Sequence, residues 1–242
     1  PFRYWFIAIH LLTSTKKSFS AAELQRQLGH KRYEPIWTLL HKLREIMGKR
    51  DEMYSLSGVI ELDEGFFSTE TPDDEKKKPL KRGRGSQKKS KVLVMAESQP
   101  VEGQTTKTGK PRQVGHIKMI VINDLKSATI TPLVENNVTK ESTIDSDDST
   151  SYVKLKDIVK EHRPQVIPKD EIGKVLPWVH IAISNAKRML LDIYHDIKPE
   201  YLQNYLNEFC YKFNRRYFGE NLFDRLMIAS VTYKNQFRQY NG

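Results

Sequence analysis

The sequence has a single cysteine among its 242 residues, Cys210. One cysteine excludes an internal disulfide framework and a zinc site built from cysteines within this chain, and it fits a reducing cytoplasm. No apolar run approaches the ~20 residues needed to cross a bilayer, because the longest, around Trp5 to Leu12, is interrupted by His10. A secretory signal pattern is absent too, so we expect neither membrane insertion nor secretion.

Acidic residues are few relative to basic ones. The chain has 40 Lys and Arg against 30 Asp and Glu, which gives a net charge of +10 and a pI near 9.5. This balance favours a polyanionic partner, nucleic acid first and an anionic membrane surface second. At 242 residues the chain has room for one large domain or two smaller ones.

The first 57 residues are predicted to be helical. Ser20 and Glu23 form a capping box, and Gly29 is suited to end that helix. A longer helix over Tyr33–Met47 has an apolar stripe of Ile36, Leu39, Leu40, Leu43 and Met47. Its exposed side is predicted to carry Lys42, Arg44, Lys49 and Arg50. The pattern indicates a helix-turn-helix-like unit that contacts DNA, and plain helical packing remains an open alternative.

The amino-acid composition changes at residues 68–91, because the second half of this stretch is strongly basic. The run holds Lys76, Lys77, Lys78, Lys81, Arg82, Arg84, Lys88, Lys89 and Lys91 without an acid. We interpret it as a flexible loop between two strands that tracks phosphates without reading bases, with a merely solvated loop as the alternative.

Three strands are predicted around this loop, at Val59–Phe67, Val92–Glu97 and His116–Asn123. They follow one another without a helix, which indicates an antiparallel meander. Further along, the patterns predict a helix or turn at Val138–Glu141, a helix at Tyr152–Glu161 and a short strand at Gln165–Ile167. Helices are then predicted at Val179–Asp192, from Pro199 onward, and at Phe223–Tyr233.

Two acidic stretches are candidates for chemistry. Strand alternation places Glu61 and Asp63 on one face of the first strand. An acid in a core strand is costly to bury unless a positive group or a divalent ion meets it. A second cluster, Asp145, Asp147 and Asp148, follows the apolar Ile144. Acids at converging strand ends suit a metal ion, whereas solvated acids remain the alternative for both stretches.

Taken together, these residues resemble bacterial insertion-sequence transposases of the DDE superfamily, and the resemblance covers most of the chain. The matching pieces are Tyr4-Trp5-Phe6 with Ala8-Ile9-His10, Ser20-Ala21 with Leu24-Gln25, Leu28-Gly29, Trp37 with Leu40-His41-Lys42, Glu61-Leu62-Asp63-Glu64, Asp147 with Tyr152, Trp178-Val179-His180, Lys187-Arg188, Tyr194-His195, and Tyr201-Leu202-Gln203 through Phe213-Asn214-Arg215-Arg216. The C-terminal run is the most specific of them.

The resemblance implies a mixed α/β fold: an RNase H-like core with a mixed five-stranded sheet flanked by helices, behind an all-helical segment. We therefore expect a helix-turn-helix-like segment at residues 1–57 and a catalytic domain at residues 58–242. The family usually carries a cysteine zinc-binding segment ahead of the first helix. Because none is present and the chain starts at Pro1, we expect a fragment or truncated copy.

The resemblance also implies the site residues. Asp63 is the first catalytic carboxylate and Asp147 the second, with Asp145 and Asp148 as competitors for the second place. Asp147 is preferred because Tyr152 stands five residues later, where the family has an aromatic residue. At the third place the family's Glu is absent; counting seven residues back from Lys187 reaches His180, and Asn185 is the alternative. Related groups also have His or Asn there.

The resemblance further implies the cofactor and partners. Asp63, Asp147 and His180 are expected to hold Mg²⁺ or Mn²⁺, and Lys187 to hold the phosphate of the DNA end. The expected partners are double-stranded DNA, as element ends and target, and at least a second copy of the chain. The expected location is the bacterial cytoplasm, in association with the nucleoid. The predicted DNA contacts are Lys42, Arg44, Lys81, Arg82, Arg84, Lys88, Lys89, Arg188, Arg215 and Arg216. A non-catalytic DNA-binding protein derived from a transposase and a structure-specific nuclease remain open alternatives.

Overall fold

A five-stranded mixed sheet forms the centre of the part of the chain that carries the predicted acids. The computed structural model describes residues 1–73, 75–101, 111–166, 168, 175–194 and 196–238, with only the backbone of Arg84. Strands β1 (Val59–Ser68), β2 (Lys89–Pro100), β3 (Arg112–Ile122), β4 (Thr143–Asp147) and β5 (Glu161–Gln165) lie in the order β3-β2-β1-β4-β5. β1, β2 and β3 pair antiparallel, and β4 joins β1 and β5 in parallel. The predicted meander and mixed sheet are confirmed.

One face of the sheet is covered by helix α4 (Ser127–Asn137) and by a 3₁₀ helix over Thr150–Asp157. The apolar residues that pack together here include Ile60, Leu62, Leu93, Met95, Ile130, Val134, Ile144, Tyr152 and Leu155. The sequence did not predict α4, because its threonines, its asparagines and Pro132 disfavour a helix. Burial of Ile130 and Val134 at i and i+4 against the sheet outweighs that preference.

Helix α5 (Pro177–Leu191) approaches β1 closely at Gly65. A Cβ on this glycine would lie 2.8 Å from Cε2 of the Phe67 ring and 3.4 Å from Cγ1 of Ile183 on α5. A side chain at this position would collide with the Phe67 ring of the same strand and would crowd Ile183, so glycine lets both side chains lie close to the backbone of β1.

The connecting segments differ in detail from the predictions. The predicted helix at Tyr152–Glu161 is the 3₁₀ helix, which ends at Asp157. The predicted strand at Gln165–Ile167 lies earlier, as β5, and Ile167 is outside the described residues. Among the described residues, no helix is long and apolar enough to cross a bilayer.

The remaining helices form a second compact unit, within residues 1–53, 188–195 and 204–242, whereas the sheet unit lies within residues 54–187 and 196–203. Its helices are α1 (Phe2–Ser14), α2 (Ala21–Leu28), α3 (Glu34–Glu52), α6 (Leu202–Asn214, from residue 204) and α7 (Asn221–Thr232). The C-terminal helices thus group with the N-terminal ones. The division into functional domains at residue 57 stays a prediction.

The capping pattern of α2 is as predicted. The Ser20 hydroxyl accepts the Glu23 N–H at 3.1 Å, and Gly29 ends the helix with φ of +62°. A short connection leads into α3, whose Leu40, Leu43 and Met47 are fully buried. The helix, turn and longer helix of the predicted unit are therefore present, and its contact with DNA stays a prediction.

Arg44 and Arg215 are not exposed, so the predicted position of Arg44 on the exposed side of α3 is wrong. Arg44 is 1% exposed, and its Nε donates to Oε2 of Glu208 at 2.9 Å. Arg215 is 5% exposed and donates to Oδ1 of Asp51 at 2.6 Å. Because both guanidinium groups neutralise buried acids, neither is presented to a DNA phosphate.

Candidate active site

Asp63 and Asp147 lie side by side just beyond the point where the parallel pairing of β1 and β4 ends. The pairing of β1 with β4 ends at Leu62 and Ser146, so Asp63 and Asp147 are the next residues on their strands. Residues in matching positions on parallel neighbours project from the same face. The strand register therefore brings the two predicted carboxylates together.

A third acid, Glu64, joins them. Asp63, Glu64 and Asp147 each offer one carboxylate oxygen, and these oxygens all lie within 4.8 Å of one another. The backbone N–H of Glu64 also donates to Oδ1 of Asp63 at 2.8 Å. We did not predict Glu64 as a site residue, because alternation places it on the opposite face of β1. β4 ends at Asp147, which leaves that side of β1 open from Asp63 onward.

Tyr152 lies beneath this cluster. Its side chain is fully buried, and burial raises the pKa of the phenol, as do the neighbouring charges of Glu64, Asp63 and Asp147. The hydroxyl therefore stays protonated and can donate a hydrogen bond toward the acids. The aromatic residue five positions after Asp147 is thus part of the floor of the site.

Asp145 and Asp148, the alternatives to Asp147 as the second carboxylate, do not point into the same cluster. Asp145 receives two hydrogen bonds from Arg163, at 2.7 Å to Oδ1 and 3.1 Å to Oδ2. Asp148 is exposed at the start of the turn that follows β4. Neither belongs to the convergent group formed by Asp63, Glu64 and Asp147, and this geometry favours Asp147.

Helix α5 brings His180 to Asp63. The distance from Nδ1 of His180 to Oδ2 of Asp63 is 3.7 Å, and both side chains are partly exposed. Burial lowers the pKa of His180, so its imidazole is neutral near pH 7. Asn185, the alternative third residue, lies ~140° further around the helix, whereas Lys187 lies within ~20° of His180. This geometry favours His180 over Asn185.

Lys187 lies on the same side of α5, with its Nζ 5.6 Å from the centre of the Phe67 ring of β1. Burial lowers the pKa of Lys187, and so does the charge of Lys89 at the start of β2. A partly desolvated ammonium group with a second cation nearby is suited to a phosphate, which would relieve the repulsion between them.

The first turn of α5 is held by Glu61, two residues before Asp63. Oε2 of Glu61 accepts the backbone N–H of Trp178 at 2.6 Å and of Val179 at 3.2 Å. Burial raises the pKa of Glu61 to about 7; the two N–H donors lower it, and the charge of Asp145 adds to the increase. Glu61 therefore binds the start of α5 and is not one of the three convergent acids.

The residues predicted to contact DNA differ in their exposure to solvent. Lys81, Arg82, Lys88, Lys89 and Arg188 are exposed, and Lys42 and Arg216 are partly exposed. The guanidinium of Arg216 lies 4.6 Å from the Phe213 ring centre and 4.7 Å from that of Tyr217. Arg44 and Arg215 are buried, as described above, and the side chain of Arg84 is outside the described residues.

Comparisons with known proteins are consistent with this arrangement. The family model described as the ISXO2-like transposase domain, of the DDE transposase type, matches residues 55–214, which is more than half of the chain. A comparison with curated proteins finds no match. Among solved structures, a pre-cleavage Mos1 transpososome is similar over 97% of this chain and 81% of that chain, with 10% identity and a TM-score of 0.35.

A second similar structure is the Mos1 mariner paired end complex with Mn, with 11% identity and a TM-score of 0.37 over 96% of this chain and 79% of that chain. Family membership rests on the family model. The predicted membership of the DDE transposase superfamily is thereby confirmed, and the chain belongs to the ISXO2-like transposase domain family.

Proposed function

We propose that the chain catalyses metal-dependent cleavage of DNA strands and the joining of the cut ends to a target. The observation that carries the proposal is the convergence of the Asp63, Glu64 and Asp147 oxygens within 4.8 Å. Like charges at this distance repel one another, and a divalent cation is the partner that turns such a cluster into a favourable one.

The donor set fits Mg²⁺ or Mn²⁺. All three converging groups are carboxylates, and oxygen ligands are those that these ions prefer. Oxygens on opposite sides of one Mg²⁺ are ~4.2 Å apart, so a small side-chain adjustment brings the cluster to ligand distance. A bound divalent ion would activate a water or a 3′-hydroxyl for in-line attack at phosphorus and stabilise the leaving oxygen.

The chain's own residues supply positioning and proton transfer. The imidazole of His180, 3.7 Å from Asp63, would accept a proton from the attacking water or hold that water. Lys187 would bind the phosphate next to the reacting one. Hydrolysis breaks the O3′–P bond and leaves a 3′-hydroxyl and a 5′-phosphate; that 3′-hydroxyl then attacks a target phosphorus, releases a target 3′-hydroxyl and forms a new phosphodiester.

The test is a strand-transfer assay on the whole chain. The substrate is labelled DNA carrying the sequences that flank its gene, with supercoiled plasmid as the target. We expect cut and joined products that require Mg²⁺ or Mn²⁺ and disappear with EDTA. Cleavage without joining would support the structure-specific nuclease instead. Binding with neither product in any ion would support the non-catalytic DNA-binding alternative, which the replacement of the third acid by His180 favours.

The basic loop and Lys89, the first residue of β2 after it, are proposed to hold the DNA backbone. Four exposed cations could contact it: Lys81, Arg82, Lys88 and Lys89. The charge of Lys89 lowers the pKa of Lys187, so these two side chains lie near one another. Phosphate contacts of this kind release condensed counterions, so their number sets the salt dependence of binding.

We therefore expect the double variant Lys88→Ala/Lys89→Ala to weaken DNA binding equally for all sequences. The slope of log K against log salt should become shallower by ~2, about one for each contact. Fluorescence anisotropy over a salt series measures it. Lys160→Ala, which removes an exposed lysine outside the loop, serves as the control and should keep the wild-type slope. An unchanged slope in the double variant would contradict the role of the loop.

A further inference from the structure

The carboxylate of Glu61 lies in an unusual place for a helix cap. Helices are normally capped by the residue just before their first turn, but α5 begins at Pro177 and Glu61 belongs to β1. Its side chain is 4% exposed, and a single oxygen, Oε2, accepts the N–H groups of both Trp178 and Val179. The strand that carries Asp63 therefore also binds the first turn of α5.

The contact between Glu61 and α5 lies close to the pair of Asp63 and His180, both in sequence and in space. Asp63 follows Glu61 by two positions on the same face of β1, and His180 follows Val179 by one position on α5. The contact between the two elements continues from Glu61 to the pair of Asp63 and His180, whose atoms are 3.7 Å apart. A shift of the first turn of α5 away from β1 would therefore move His180 away from Asp63 directly.

Other contacts fix the rest of this turn but do not replace Glu61. The indole Nε1 of Trp178 donates to the Ser98 hydroxyl at 3.2 Å, which ties the side chain to β2. Val179, Ala182 and Ala186 are buried and supply the apolar contact of the helix. Apolar packing is non-directional and leaves a helix free to slide by fractions of an ångström. Hydrogen bonds to backbone N–H groups fix both the register and the direction of the helix start.

We propose that Glu61 is a positioning residue of the site: by holding the first turn of α5 against β1, it sets His180 at Asp63. The idea rests on the proposed function for its effect on the reaction, but the positioning can be measured without the reaction. A single carboxylate oxygen has the lone pairs to accept both helix N–H donors. The amide oxygen of Gln is of similar size and accepts without a full charge, whereas Ala accepts nothing.

The test compares Glu61→Ala and Glu61→Gln with the wild type by two readouts. The first is amide hydrogen exchange at Trp178 and Val179, measured by NMR on the folded protein without metal or DNA. The second is the strand-transfer rate at saturating DNA, together with the Kd for DNA. For Glu61→Ala we expect loss of exchange protection at both amides, a rate lower by ~10-fold or more and an unchanged Kd. Glu61→Gln should restore most of the protection and most of the rate.

A matched control is Glu97→Ala. Glu97 is also 4% exposed, and it accepts the backbone N–H of Ser57 at 3.0 Å and of His116 at 2.9 Å, neither of which belongs to α5. This variant should keep the protection at Trp178 and Val179, which separates positioning from a general loss of stability.

Unchanged protection in Glu61→Ala would overturn the proposal, whatever the rate does. Retained protection in Glu61→Gln with a rate as low as that of Glu61→Ala would also overturn it, because the charge and not the helix contact would then matter. If the wild type gives no products at all, the proposed function fails while the exchange experiment still decides whether Glu61 holds α5.

Discussion

Replacement of Asp147 by Asn is expected to abolish strand cleavage and joining while leaving DNA binding intact. Asn is nearly isosteric but lacks the charge, so it would weaken the metal-ligand set proposed for Asp147, Asp63 and Glu64. Stabilisation of the transition state by a bound ion amounts to several kcal/mol, which corresponds to a rate lower by ~10³-fold or more. The rate of product formation under single-turnover conditions measures the loss, and Kd from anisotropy measures binding.

Asp148→Asn is the matched control for this variant. Asp148 is the next residue and is exposed, outside the group of converging oxygens. Its replacement changes the net charge by the same amount and should leave the rate near that of the wild type. Glu64→Gln should lose an intermediate amount if Glu64 completes the ligand set. A wild-type rate in Asp147→Asn would falsify the assignment of the second carboxylate.

The second large effect is expected on stability, from Glu208→Ala. Glu208 is fully buried in the helical unit, where it accepts from Arg44 at 2.9 Å and pairs with Lys212 at 3.4 Å. Burial alone would raise the pKa of Glu208, but the charges of Arg44 and Lys212 hold it below its ordinary value. Without this acid, two buried cations have lost their counter-charge. Breaking a buried pair in this way costs ~3–5 kcal/mol of unfolding free energy.

Urea unfolding followed by circular dichroism measures the change. Arg44→Met should cost less than Glu208→Ala, because Lys212 still neutralises the remaining acid. Glu23→Gln removes an ion pair with Arg26 on the surface of α2, and it should leave the urea midpoint unchanged because water and ions replace that partner. Equal midpoints for Glu208→Ala and Glu23→Gln would show that the buried cluster contributes no more than a surface pair.

The same buried cluster explains why part of the predicted DNA surface was misplaced. Arg44 follows Leu43 in the predicted stripe of α3, and helical periodicity alone placed it at the edge of the exposed side. In the structure the buried face of α3 is wider than the predicted apolar stripe and includes Arg44. Arg44 forms an ion pair with Glu208 of α6, 164 residues later in the chain. Arg215 meets Asp51 at a similar separation. A sequence reports that a residue is charged, but the element that covers it is set by chain topology.

In the candidate site, too, one part could be predicted from the sequence and another part depended on the tertiary structure. The register of β1 with β4 could be anticipated, because each stretch is a short apolar run that ends in acid, and Asp63 and Asp147 are indeed adjacent. Glu64 was missed because two-residue alternation assigns it to the other face of the strand. It reaches the site only because β4 ends at Asp147 and leaves that flank of β1 open. Strand length, which propensities predict poorly, decided this.

By itself, the sequence determined the three strands of the meander and the basic balance of the chain, because hydrophobic alternation and charge are local properties. The family resemblance pointed to the two acids, Asp63 and Asp147, that the structure brings together. The sequence also determined the caps of α2, since a capping box acts over a few residues. Only the tertiary structure decided which cations are buried, that α4 forms against its weak propensity, and that Glu61 supports α5 instead of joining Asp63. Each of these depends on contacts between residues far apart in sequence, whose burial and desolvation outweigh local preference.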